Sequence, residues 1–94
     1  MTAARLVQVR GRVQGVGYRW SCVKKAQELG ITGWVRNRTD GSVEALLQGS
    51  NERLDAMVAW MRSDVPGASV SGMDVGDAPA HTPVHGGFEQ RPTA

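Results

Sequence analysis

The chain has 94 residues, 40% hydrophobic and 21% charged, an ordinary globular composition that excludes the disordered and membrane classes. At this length one domain spanning residues 1–94 is expected, with a single modest core that buries only about 60 to 65% of the extended-chain surface. A net charge of +2 suits a small anion as well as nucleic acid, and a lone cysteine, Cys22, excludes an internal disulfide.

The opening stretch MTAARLVQVRGR holds only short apolar runs before charge returns. Neither a signal peptide nor a membrane span is expected, and a cytoplasmic location follows by default. Arg5 to Arg10 then reads as a strand with Val7 and Val9 as its inward pair. Gly11 to Arg19 follows as a glycine-bearing loop that leads into a helix. Cys22, Ala26 and Leu29 recur at i, i+4 and i+7 along that helix with Val23 beside them, so Cys22 is expected in the core. Gly30 followed by Ile31 is the pattern of a left-handed cap with an apolar residue packing back on the last turn.

Ile31 to Arg38 reads as a second strand and Val43 to Gly49 as its hairpin partner, joined through Thr39-Asp40-Gly41-Ser42. Val43, Ala45 and Leu47 alternate with Glu44, Leu46 and Gln48, which predicts a half-buried sheet. Ser50 is placed to cap a second helix with Glu52 in its first turn, and Leu54, Met57, Val58 and Met61 make its apolar face, the methionines as core filler. Pro66-Gly67 ends it. Ala68 to Val75 reads as a fourth strand whose phase slips near Gly72, as a bulge would make it. A loop from Gly76 to Gly87 and a short last strand from Phe88 complete the chain. This order is the ferredoxin-like βαββαβ arrangement, an α+β sandwich with a mainly antiparallel sheet and two helices packed on one face. The fold hosts enzymes, metal carriers and RNA binders, so function rests on the site.

Two places carry chemistry. In the first, Gly15 and Gly17 allow positive φ and close approach of backbone N–H groups, the helix N-terminus favours negative charge, and Arg19 supplies a guanidinium fork matched to phosphate. The same features also describe a tight turn with a solvated arginine. No Gly-Lys-Ser/Thr follows, and Trp20 stands where a dinucleotide fingerprint needs glycine. The second place is Asn37, on one sheet face with Gly33 and Val35, either a strand-end residue or an amide that places a water. Cys22 has no ligand partner and His81 and His85 have no carboxylate or thiol at ligand spacing, so no metal and no cofactor are expected and the histidines read as a surface pair. Ser21 in the first helical turn serves the backbone.

Gly11-Arg12-Val13-Gln14-Gly15-Val16-Gly17-Tyr18-Arg19 resembles the first signature of the acylphosphatases. Gly33-Trp34-Val35-Arg36-Asn37, followed by Gly41, Val43 and Gly49, resembles the second, in the same order and spacing. The resemblance runs from the first strand through the fourth; the end, Phe88-Glu89-Gln90-Arg91-Pro92, is less apolar than the family's closing strand. It implies hydrolysis of acyl phosphates to carboxylate and inorganic phosphate. It further implies a phosphate-binding loop of Gln14, Gly15, Val16, Gly17, Tyr18 and Arg19, with Asn37 orienting the attacking water. No base, metal or nucleophile is then needed, because the leaving carboxylate has an unperturbed pKa near 4 and phosphoryl transfer is mostly positioning and charge stabilisation. The implied partners are a small acyl phosphate and inorganic phosphate, with no nucleic acid and no membrane, acting on a monomer. Two other readings stand beside it. One is a non-catalytic ferredoxin-like anion or RNA binder using Arg10, Arg12, Arg36, Arg38, Lys24 and Lys25 with Trp34, against which no RNP-type aromatic run appears. The other is a carbamoyl-phosphate-handling domain like that of hydrogenase maturation proteins, which would continue beyond this chain's end.

Overall fold

Val7 and Val9 are fully buried on β1 (Ala3–Arg12), the strand about which the sheet is assembled. The computed structural model describes residues 2–79 and 82–94. After β1 come α1 (Tyr18–Leu29), β2 (Thr32–Asn37), β3 (Val43–Gly49), α2 (Asn51–Ser63), β4 (Ser69–Asp77) and β5 (Phe88–Gln90). The sheet order is β4-β1-β3-β2-β5. β1 pairs antiparallel with both β3 and β4, β2 antiparallel with β3, and only β2 and β5 run parallel. β1 extends beyond the expected Arg5 to Arg10 because it has a neighbour on each side, and pairing recruits Ala3 at one end and Gly11 and Arg12 at the other.

Both helices cover one face of this sheet. Val7, Val9, Val35, Val43, Ala45 and Leu47 meet Tyr18, Cys22 and Ala26 of α1 and Leu54, Met57 and Met61 of α2 in one buried cluster. Cys22 is buried as the helical spacing predicts, and burial pushes its thiol far above the ordinary thiol range. Gly30 closes α1 in the left-handed conformation at φ 69°, and the Ile31 N–H donates to Ala26 O at 2.8 Å, the expected cap with its apolar companion.

The fold departs from the expected pattern in two places. β3 was expected to be half-buried, yet Leu46 and Gln48 on its second face are 2% and 3% exposed. The chain after β4 crosses this face: Gln48 Nε2 donates to Pro83 O at 2.7 Å and the His85 N–H donates to Gln48 Oε1 at 2.9 Å. Trp34 lies there too, with the Arg36 and Arg91 guanidinium carbons 4.7 and 5.1 Å from its ring centroid. His85 is thus tied to β3 by its backbone, while His81 lies outside the described residues. The slip in β4 falls at Ser71, one residue from Gly72: Arg10 faces Gly72 while Gly11 faces Val70, leaving Ser71 as the extra residue.

The topology brings the two candidate places together. β1 and β2 are both antiparallel to the β3 between them, so they run parallel and end at the same edge of the molecule. The loop that leaves β1 and the Asn37 that ends β2 therefore meet. β5, parallel to β2, delivers Gln90 to the same edge.

Candidate active site

The loop from Val13 to Gly17 is held at both ends by apolar burial. Val13 is 1% exposed and Val16 packs on the core. Between them, Gln14 turns its side chain away from the loop. Its Nε2 donates to Arg38 O at 2.8 Å and to Ser42 O at 2.9 Å, the two carbonyls at the mouth of the β2–β3 turn. That turn is itself fixed. Buried Ser42 donates from Oγ to Asp40 Oδ1 at 2.6 Å and from its N–H to the same oxygen at 2.9 Å, and its Oγ accepts from Gln8 Nε2 at 3.1 Å. The Ser42 hydroxyl, then its N–H, then the Arg38 charge hold the Asp40 carboxyl below the usual carboxylate range.

Gly15 and Gly17 sit at φ 74° and 76°, and a Cβ added at either would meet nothing within 4 Å. The positive φ, not lack of space, requires glycine here, since an L-residue pays roughly 1–2 kcal/mol in that conformation. Gly17 is also the N-cap of α1, and it offers no side-chain acceptor; the first turn holds no acidic residue. The N–H groups of Tyr18, Arg19 and Trp20 precede the first helical bond, from Ser21 N–H to Gly17 O at 3.0 Å, and with the helix dipole they are left for another acceptor. Arg19 makes no ion pair among the described residues, whereas Arg36 and Arg38 share Glu44 at 2.6 and 3.3 Å. Tyr18 anchors the start of the helix: its phenol donates to Met61 O at 2.8 Å and is 1% exposed. Burial first, and a charge on nearby Cys22 second, push that phenol far above its ordinary range, so it stays a neutral donor.

These elements enclose a pocket of about 250 Å³. Of the residues singled out in sequence, Gly15, Gly17, Tyr18, Arg19 and Asn37 line it together; Gln14 and Val16 do not. Three further residues line it, Val13, Trp20 and Gln90. Trp20 had a local signal, a large aromatic one turn before Lys24 on the otherwise polar side of α1. Gln90 had none, because only the pairing of β5 with β2 brings it there. None of the eight lining residues is His, Asp, Glu or Cys. Among the described residues no three or more such side chains gather as metal ligands, and no helix is long and apolar enough to cross a membrane. A larger concavity of about 750 Å³ lies at the opposite edge, beside Gly30, Gly49 and Arg53. It borders the start of α2, where Ser50 caps the Arg53 N–H and Glu52 adds negative charge, so chemistry and not volume singles out the smaller pocket. What that pocket offers is the start of a helix, one guanidinium and the carboxamides of Asn37 and Gln90, a set that can hold a tetrahedral oxyanion and a water.

The family model described as acylphosphatase matches residues 6–90. Acylphosphatase 1 of Ralstonia nicotianae is 58% identical over 89 residues, covering 95% of this chain and 87% of its own. The acylphosphatase of an Azoarcus species is 53% identical over 92 residues, covering 97% and 91%. The structure of an acylphosphatase from Coxiella burnetii superposes with a TM-score of 0.88 at 33% identity, over 96% of this chain and 93% of that one. A match over nearly the whole chain, at this identity and with this fold, places the protein: it belongs to the acylphosphatase family.

Proposed function

We propose that this protein hydrolyses the carboxyl–phosphate anhydride of small acyl phosphates, releasing a carboxylate and inorganic phosphate. The phosphoryl oxygens bind the N–H groups of the loop ending at Arg19 and the Arg19 guanidinium, and the Asn37 carboxamide orients the attacking water. Water oxygen bonds to phosphorus as the bond from phosphorus to the carboxylate oxygen breaks. The bonding electrons leave with the carboxylate, and the proton lost by the water passes to phosphate or solvent. Charge that spreads over the phosphoryl oxygens in a loose transition state meets donors already in place. A carboxylate leaves without a proton, which fits a pocket with no titrating acid or base in its walls. The observation that carries the reading is the meeting of Arg19 from α1 and Asn37 from β2 in one pocket at a helix N-terminus that its own sequence leaves uncapped.

The anion- or RNA-binding alternative finds less support. Most of the basic residues it would use are engaged: Arg10 with Asp74 at 2.6 Å, Arg36 and Arg38 with Glu44, and Lys24 over Trp20. Trp34, its stacking platform, is 9% exposed. We further propose that the protein acts as a monomer and without a metal.

Release of phosphate from acetyl phosphate, with and without a chelator, tests the reading. Turnover is expected in both conditions, with Asn37→Ala lowering kcat on the order of 100-fold while inorganic phosphate still inhibits competitively. Absence of release by the wild type, or loss of turnover with chelator and its return with a divalent ion, would overturn it.

A further inference from the structure

The proposed reaction accounts for the phosphoryl group and leaves the acyl part of the substrate in search of a surface. Trp20, the residue after Arg19, is 59% exposed, whereas the other two tryptophans are largely withdrawn from solvent, Trp34 at 9%. An indole left in water beside a polar pocket is an apolar surface without a structural partner. The ring is also held in place. Lys24, one turn further along α1, puts its ammonium 4.5 Å from the ring centroid, which covers one face and leaves the rest of the indole open.

Trp20 is a wall of the phosphate pocket and of a second concavity of about 260 Å³. The second one runs between α1 and the C-terminal end of α2, with Trp60, Pro66 and the stems of Lys24 and Lys25 among its walls. None of its residues comes from β2, which carries Asn37. An in-line displacement puts the entering water and the departing oxygen on opposite sides of phosphorus. With the water at Asn37, the carboxylate departs on the α1 side, where Trp20 stands and the second concavity begins.

We propose that Trp20 and the groove behind it receive the acyl group, and that they favour an acyl phosphate with a flat apolar body, such as an aryl group, over one with a single methyl. The inference rests on the phosphoryl-site reading given above. Two indoles and a proline ring offer flat apolar area to such a group. Charge does not compete with this preference, because Lys25 faces Glu28 at 3.9 Å and Asp64 lies in the same groove as Lys24. With Lys24 and Lys25 set against Glu28 and Asp64, a strongly anionic acyl chain gains no net attraction there.

The test compares kcat/KM for benzoyl phosphate and acetyl phosphate in the wild type, Trp20→Phe and Trp20→Ala. Any difference in intrinsic reactivity between the two substrates is common to all three proteins, so the change in their ratio isolates the contact. Trp20→Ala is expected to lower the benzoyl-to-acetyl ratio on the order of tenfold, mostly through KM for benzoyl phosphate, and Trp20→Phe to keep most of it. The inhibition constant of inorganic phosphate, measured alongside, should move little. A ratio unchanged in Trp20→Ala, with the wild type active on both substrates, overturns the acyl-site inference and leaves the phosphoryl reading standing. No phosphate release from either substrate by the wild type removes the phosphoryl reading and this inference with it.

Discussion

The two helices lie on the same face of the same sheet, and their N-termini are built in opposite ways. α2 starts after Ser50, whose extended backbone lets its hydroxyl accept from the Arg53 N–H at 3.3 Å, and Glu52 adds negative charge in the first turn. α1 starts after a left-handed glycine with no side chain to accept and no acid in its first turn, and Arg19 adds positive charge instead. α2 therefore answers its own dipole and one of its orphan donors, while α1 leaves both for a ligand. With glycine at that position the missing side-chain cap costs only about a few tenths of a kcal/mol. α1 is held instead by tertiary contacts, the Tyr18 phenol on Met61 O and the burial of Cys22 and Ala26. A helix start that is stabilised from its side and not from its end is free to bind.

Substitutions that act on one terminus and not the other break or sharpen this contrast. The largest effect is expected at Arg19→Lys, which keeps the charge and loses the two-pronged geometry. kcat/KM should fall by about 100- to 1000-fold, with the melting temperature little changed, since Arg19 makes no ion pair among the described residues. A lysine variant with most of the wild-type kcat/KM would show that the open terminus needs only a point charge. A middle effect is expected at Gln14→Ala, which unpins the loop from the β2–β3 turn. Losing the donors to Arg38 O and Ser42 O should cost about 1–2 kcal/mol, a melting shift of several degrees, and weaken phosphate inhibition a few-fold. Stability lost with phosphate inhibition intact would mean that the pin does not set the loop's geometry. The smallest is Ser50→Ala, expected to cost about 1 kcal/mol of stability while leaving kcat/KM alone. A fall in turnover there would erase the distinction between the two termini.

How much of this was legible in the residues depended on how local the cause was. The bounds of β3, the Gly30 cap and the Ser50 cap are set by neighbours within a few positions, and each stands where its pattern put it. The seclusion of Leu46 and Gln48 was not legible, because the chain that covers them comes from beyond β4, as the Gln48–Pro83 hydrogen bond records. Pairing at the end of the chain is a similar case. The short strand expected from Phe88 is there, but its parallel partner was not legible: backbone bonds from Gly33 N–H to Gly87 O and from Arg91 N–H to Val35 O dock it on β2. At the site, motif spacing pointed to Arg19 and Asn37, and topology explains why they meet. Gln14 shows where a motif falls short of a role. It sits within the loop's sequence, but its side chain serves the neighbouring hairpin, a partner 24 and 28 positions away.

The most direct test of the contrast is a titration with inorganic phosphate followed residue by residue through the backbone amide resonances. The account predicts saturable shifts at Gly15, Gly17, Tyr18, Arg19 and Trp20, smaller ones at Asn37, and none at Asn51, Glu52 or Arg53. Shifts at the start of α2 as large as those at the start of α1, or no shifts at the Gly15 to Arg19 amides at saturating phosphate, would contradict it.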